Sequence, residues 1–155
     1  MADPAPPASE SYRGNCHCGA VIYEVTLSPP LYSTSSPPSS SSTEVYKVAN
    51  CNCSICVKSG YLLAYPLRTN LRFLKGEAGM KSYHCASKTH AHRFCGECGG
   101  SVMIDFDREW SEKMGMGDSV ALNVRLLHDV DLDKLSYNKF DGKGLIGPVY
   151  QAPEA

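Results

Sequence analysis

Phe94-Cys95-Gly96-Glu97-Cys98-Gly99-Gly100 reads as a zinc knuckle. Two thiols stand three positions apart, and glycines on either side of the closing cysteine permit a φ > 0 turn that aims backbone N–H groups at the sulfurs. A knuckle supplies only two ligands. Its partner is the pair in Asn15-Cys16-His17-Cys18-Gly19, roughly eighty residues earlier, and one shared ion would clip the first strand to the later sheet, so that its binding energy becomes folding energy. Cys16, Cys18, Cys95 and Cys98 are therefore assigned to a closed structural zinc, since four thiolates saturate a tetrahedral ion.

Cys51-Asn52-Cys53-Ser54-Ile55-Cys56 packs three more thiols into one short loop. Three ligands leave a tetrahedral ion with a vertex that water or a substrate atom can occupy. The trio is expected to hold a second zinc, and a thiol bound there would shed its proton. Two alternatives stay open. Cys85 or a histidine could complete a second structural site, or the eight cysteines could pair as disulfides. Spacings of two or three residues make poor disulfide partners, and a reducing compartment disfavours them. Cys85, in a strand-like stretch, reads as a small buried hydrophobe. His17 should point away from the metal, while His84, His90 and His92 read as surface or hydrogen-bonded residues of a hairpin.

The chain has 155 residues, enough for one domain. Residues 1–11 read as a flexible N-terminal tail, 12–145 as the zinc-binding catalytic domain, and 146–155 as a C-terminal tail. Residues 28–43 form a Pro/Ser-rich insert whose composition cannot repay the entropy of ordering. It falls between the first two strand candidates and is expected to form a loop at one hairpin end. Fifteen basic against sixteen acidic residues give a charge of −1, so no strong field attracts nucleic acid or anionic lipid. No apolar run suits a membrane span or a signal peptide, and a cytoplasmic location is expected.

Short apolar alternations punctuated by Gly, Pro, Asn and Asp predict a mainly β protein. The strand candidates are 20–25, 44–49, 61–65, 71–74, 81–85, 91–94, 101–106 and 119–124. A weak helical pattern spans Trp110 to Met114, and Asp129 to Leu135 suggests one short turn. No Ser-His-Asp order, phosphate-cradling glycine loop or paired-carboxylate motif stands out.

The order G-x-C-x-C-G, C-x-C-x-x-C, F-C-x-x-C-G resembles the family of glutathione-dependent formaldehyde-activating enzyme and centromere protein V. Gly14 to Gly19, Cys51 to Cys56 and Phe94 to Gly99 carry it, and the similarity extends over roughly Tyr12 to Phe140. The resemblance implies a zinc-stabilised β-tent fold of small antiparallel sheets. It also implies a structural zinc on Cys16, Cys18, Cys95 and Cys98 and a catalytic zinc on Cys51, Cys53 and Cys56. The name-giving members are carbon–sulfur lyases acting on S-hydroxymethylglutathione, the adduct of formaldehyde and glutathione.

The leading expectation is thus a zinc-dependent carbon–sulfur lyase acting on a small-molecule thiol adduct such as a glutathione conjugate. A proton must also move at the adduct hydroxyl, and Tyr61, His92, Asn123 and Arg125 are candidates by residue type. Two other readings stand beside it. One is an enzyme of the same fold acting on a non-glutathione molecule, in fungal secondary metabolism or detoxification, since the Pro/Ser insert and the tail from Leu122 to Leu135 depart from a compact family pattern and the tail looks similar to fungal members. The other is a non-catalytic zinc module that binds protein or chromatin, for which the near-neutral charge offers DNA little attraction.

Overall fold

A computed structural model of the chain describes residues 7–33 and 45–154. Ten strands follow in order: β1 (Glu10–Asn15), β2 (Ile22–Leu27), β3 (Lys47–Cys51), β4 (Leu63–Ala64), β5 (Leu71–Lys75), β6 (Met80–Tyr83), β7 (Ala91–Cys95), β8 (Ser101–Asp105), β9 (Val120–Asn123) and β10 (Ser136–Phe140). Three short helices interrupt them: α1 (Ser54–Ser59), α2 (Arg108–Lys113) and α3 (Gly142–Leu145). The fold is mainly β, as expected. It comprises a three-stranded sheet, β1-β2-β5, and a seven-stranded sheet in the order β10-β3-β4-β9-β8-β7-β6. All pairs are antiparallel except β10 with β3, which run parallel. No helix among the described residues is long and apolar enough to cross a membrane.

The central strands of the larger sheet are buried on both faces, which is why they read as continuous apolar runs. Leu62, Ala64, Val120 and Leu122 turn inward to the main core, where Tyr23, Val25 and Leu27 of the smaller sheet, and Val21 just before β2, meet them. Leu63, Ala121 and Ile104 turn to the opposite face, where they pack with Tyr61, Cys51 and Cys56. The two-residue side-chain period of a strand thus separates a structural face from a second face that carries the cysteine trio.

Several sequence expectations change in the structure. Glu10 and Ser11, read as tail, belong to β1 and pair with Leu27 and Thr26. Residues 28–43 do not cap a hairpin, because β2 and β3 lie in different sheets. The beginning of this insert is part of the core: Leu31 and Pro30 are fully buried, and the Pro30 carbonyl accepts from the Tyr46 N–H at 2.8 Å. Its residues 34–43 lie outside the described residues. β4 shrinks to two residues because the Tyr65 N–H donates to the Tyr46 hydroxyl at 2.7 Å instead of a ladder carbonyl, and Pro66 has no N–H to give. The helix expected near Trp110 is α2, whose N-terminus is capped by Asp107 accepting from the Trp110 N–H at 2.9 Å. The turn expected over Asp129 to Leu135 is a 3-10 turn at Leu132–Lys134.

The burial of Leu31 predicts that Leu31→Ala lowers stability by about 2–5 kcal/mol, the usual range for truncating a fully buried leucine. Denaturant unfolding of the variant checks this, and a cost below about 0.5 kcal/mol, typical of a surface change, would place the side chain outside the core.

Candidate metal centre

Cys16 and Cys18 sit on the turn that joins β1 to β2, and Cys95 and Cys98 on the turn that joins β7 to β8. The two hairpins belong to different sheets, yet all four sulfurs lie within 4.8 Å of one another. Cys16 and Cys18 are 3.6 Å apart and Cys18 and Cys95 3.7 Å. Sulfurs sharing a tetrahedral ion at about 2.3 Å stand roughly 3.8 Å from each other, so the donor set fits a metal ion without rearrangement. None of the eight cysteines is in a disulfide.

Backbone amides stabilise these sulfurs. The Val21 N–H donates to Cys16 Sγ at 3.2 Å and the Glu97 N–H to Cys95 Sγ at 3.4 Å. Backbone N–H groups of Cys18 and Gly100 pull the Cys98 thiol down to about 6. The glycines act differently from one another. Gly19 and Gly99 both take φ +74°, where a side chain would be strained, so each turn can close after its second cysteine. Gly96 is instead demanded by contact, because a Cβ there would lie 2.7 Å from the Gly79 carbonyl oxygen.

The trio is built from a strand, a turn and a helix. Cys51 ends β3, Cys53 caps α1 with extended φ/ψ, and Cys56 follows three residues later on the same helix face. The six-residue helix is too short to show a 3.6-residue period, and for that reason the sequence suggested only a loop. Gly60 closes it in the left-handed region at φ +64°. The three sulfurs lie within 4.8 Å, with Cys51 and Cys56 buried and Cys53 partly open. Burial, then the neighbouring Cys53 and Cys51 charges, raises the Cys56 thiol; burial also raises Cys51. A bound cation would offset both penalties, so these residues fit a metal ion as well.

A distant segment holds the trio in place. The Asn52 N–H donates to the Phe140 carbonyl at 3.1 Å, its Nδ2 donates to Asp141 Oδ1 at 2.7 Å, and its Oδ1 accepts from the Lys143 N–H at 2.8 Å. Asp141 Oδ1 also caps α3 by accepting from the Gly144 N–H at 3.1 Å. Gly142 lies against Cys51 Sγ, and a Cβ there would also come within 3.1 Å of Cys53 Cβ. Sequence reasoning missed this corner. Its visible signal was Asp141-Gly142, a helix-capping acid followed by a residue without a side chain.

The remaining candidates separate. Cys85 is outside both clusters, and it is not the buried strand residue expected: it lies beyond the end of β6, half-buried, with Sγ 3.4 Å from His92 Nε2. His92 is buried, beside the Tyr61 and Tyr83 rings at 6.0 and 6.5 Å, and its Nδ1 has no hydrogen-bond partner among the described residues. Burial, then His90 and His84, lowers its pKa. Tyr61 is raised to about 12, first by burial and then by the Cys56 and Cys85 charges. Asn123 is occupied structurally: its Oδ1 accepts from the Leu62 and Arg125 N–H groups, both at 3.3 Å, and its Nδ2 donates to the Ser101 carbonyl at 2.9 Å. Arg125 is exposed, with its chain about Gly60, and makes no ion pair among the described residues. His17 is exposed and in neither cluster.

No protein-family model matches the chain. A crystal structure of a Rhodobacter sphaeroides protein is similar to it, with a TM-score of 0.57 and 25% sequence identity over 82% of this chain and 97% of that one. A likeness over that span extends to the whole mainly β architecture and not to one hairpin.

Two variants should divide the centres. Cys98→Ser is expected to lose cooperative thermal unfolding, whereas Cys53→Ser should keep it and lose one metal equivalent; circular dichroism and elemental analysis read both. Gly142→Ala should weaken metal retention at the trio by about tenfold or more, the usual cost of disturbing the residues that orient metal ligands, while the four-cysteine cluster stays loaded. Chelator challenge with metal release followed over time checks it.

Proposed function

We propose that the protein is a zinc-dependent carbon–sulfur lyase acting on a thiol adduct, for which S-hydroxymethylglutathione is the reference substrate. The observation that carries this reading is the asymmetry of the two cysteine sets. One has four sulfurs joining two hairpin turns. The other has three, one of them partly open, on a face lined by Tyr61 and His92.

Cys51, Cys53 and Cys56 would hold the second zinc. When bound there, zinc supplies a Lewis acid that favours the thiolate form of a substrate sulfur at neutral pH. The protein's own residues have four tasks. Asn52, Asp141 and Gly142 fix the trio's geometry, so the ligands need no reorganisation on binding. Ile104, Ala121 and Leu63 form an apolar floor that keeps water from the sulfurs.

His92 handles the proton. In the cleaving direction the adduct's C–S bond breaks, its C–O bond becomes a carbonyl, and the hydroxyl proton leaves the oxygen. Cys85 holds Nε2 of the imidazole, and Nδ1 is the buried atom left to accept that proton. Burial favours the neutral ring that such a base requires. Arg125, exposed, without an ion pair among the described residues and lying beside Gly60 at the close of α1, supplies a cation for a carboxylate of the thiol.

The assay is the equilibration of formaldehyde, glutathione and S-hydroxymethylglutathione, followed by NMR exchange. Wild type should accelerate exchange, Cys53→Ser should return it to the uncatalysed rate, and His92→Gln should slow it by about 10²–10⁴-fold with metal content unchanged. Equal exchange with and without the zinc-loaded protein would refute the proposed reaction.

A further inference from the structure

The face that bears the trio also carries a continuous set of rings. Tyr65 lies just beyond β4, Phe106 just beyond β8 and His90 just before β7, each two residues from a side chain on the trio's face (Leu63, Ile104 and His92), and the packing of their rings gathers them at that edge of the sheet. Trp110 of α2 joins them. The Tyr65 and Phe106 rings are parallel within 8°, with centroids 6.3 Å apart; Phe106 lies 5.2 Å from both Trp110 and His90, and His90 is 4.4 Å from Trp110. Phe106 also packs against the apolar cluster that contains Cys51 and Cys56.

These rings do more than fill a core. Tyr65 is 37% exposed, and Phe106, Trp110 and His90 are each only half-buried, so the wall presents open π-surface next to the sulfurs. Its four rings carry no fixed charge of their own, and the acid that acts on His90 is Asp107, the N-cap of α2. Arg68 on the β4–β5 connection and Arg93 on β7 are turned to the other face by ion pairs with Asp105, at 2.8 and 3.8 Å. Burial lowers the His90 pKa against the opposing Asp107 charge, which favours the neutral imidazole. Formaldehyde has no group that could use such a surface, whereas a flat aromatic ring stacks on it.

We propose that the carbon joined to sulfur in the natural substrate carries a planar aryl group, which lies against Tyr65, Phe106 and Trp110; the adduct is one of a thiol and an aromatic aldehyde. This rests on the reading of the trio as the reactive centre. The reaction balances without a co-reactant. The hemithioacetal loses its C–S bond, its hydroxyl carbon becomes the aryl aldehyde, and its hydroxyl proton ends on the released thiol.

Trp110 is the chain's single tryptophan, so its fluorescence reports occupancy of the wall independently of turnover. Zinc-loaded protein is titrated with benzaldehyde and with cyclohexanecarbaldehyde, each with and without glutathione, and calorimetry accompanies the fluorescence. Benzaldehyde should bind at least about tenfold more tightly than its saturated analogue, and Phe106→Leu and Tyr65→Leu should each erase that preference while leaving the fold and both metal equivalents intact. Equal binding of the two aldehydes, or a preference that survives in both variants, overturns the proposal. Wild type that turns over the formaldehyde adduct yet shows no aryl preference sinks the substrate class alone. If Cys53→Ser keeps full turnover, the reactive-centre reading fails, and the aryl-specific Trp110 response in that variant shows whether the wall stands without it.

Discussion

The meeting of two hairpin turns at four sulfurs is the constraint on which the rest depends. The β1–β2 turn belongs to the smaller sheet and the β7–β8 turn to the larger, and nothing in local propensity brings them together. Cys16 and Cys18 come from one, Cys95 and Cys98 from the other. An ion held there closes a loop of about eighty residues, a long-range contact whose entropy the chain would otherwise meet through packing alone. The amides directed at Cys16, Cys95 and Cys98 show that the backbone of each turn is already arranged to accept negative sulfur.

Once the sheets are joined, strand alternation decides which side chains do what. Leu62, Ala64, Val120 and Leu122 bury against the smaller sheet, and their immediate neighbours Leu63 and Ala121 line the trio's face. A one-residue slip in register would exchange the two sets, placing core leucines beside the cysteine trio and Leu63 and Ala121 in the interior. Two-sided burial of the central strands therefore protects the trio's geometry as well as the fold. It also leaves little freedom for Asn123, whose side chain is fully used in bracing Leu62, Arg125 and Ser101.

The trio itself depends on a tertiary brace. Thiols crowded together and buried resist ionisation, as the raised Cys56 and Cys51 show, so a cation bound there would compensate only if their backbone is held in place. The parallel pairing of β10 with β3 and the Asn52–Asp141–Lys143 hydrogen bonds do this from nearly ninety residues away in sequence. The same face gathers His92, Cys85 and the ring wall, from strands that are separate in sequence and adjacent only in the sheet. What distinguishes the two cysteine centres is hence their surroundings as much as their ligand count.

The mainly β class, most strand positions and the division of seven cysteines into four and three are legible in the sequence, because alternation and close thiol spacing are local properties of the chain. The sequence could not show that Glu10 begins a strand, that Leu31 is core, or that Cys85 rests on His92. Each depends on a partner remote in the chain: β2 for Glu10, the inter-sheet core for Leu31, the β6–β7 pairing for Cys85. The α1 helix was hidden for another reason, being shorter than the period that would reveal it. Tertiary structure alone decided which cysteines share a face with the rings and which weld the sheets, since that assignment follows from strand order and register, and neither is written in any one segment.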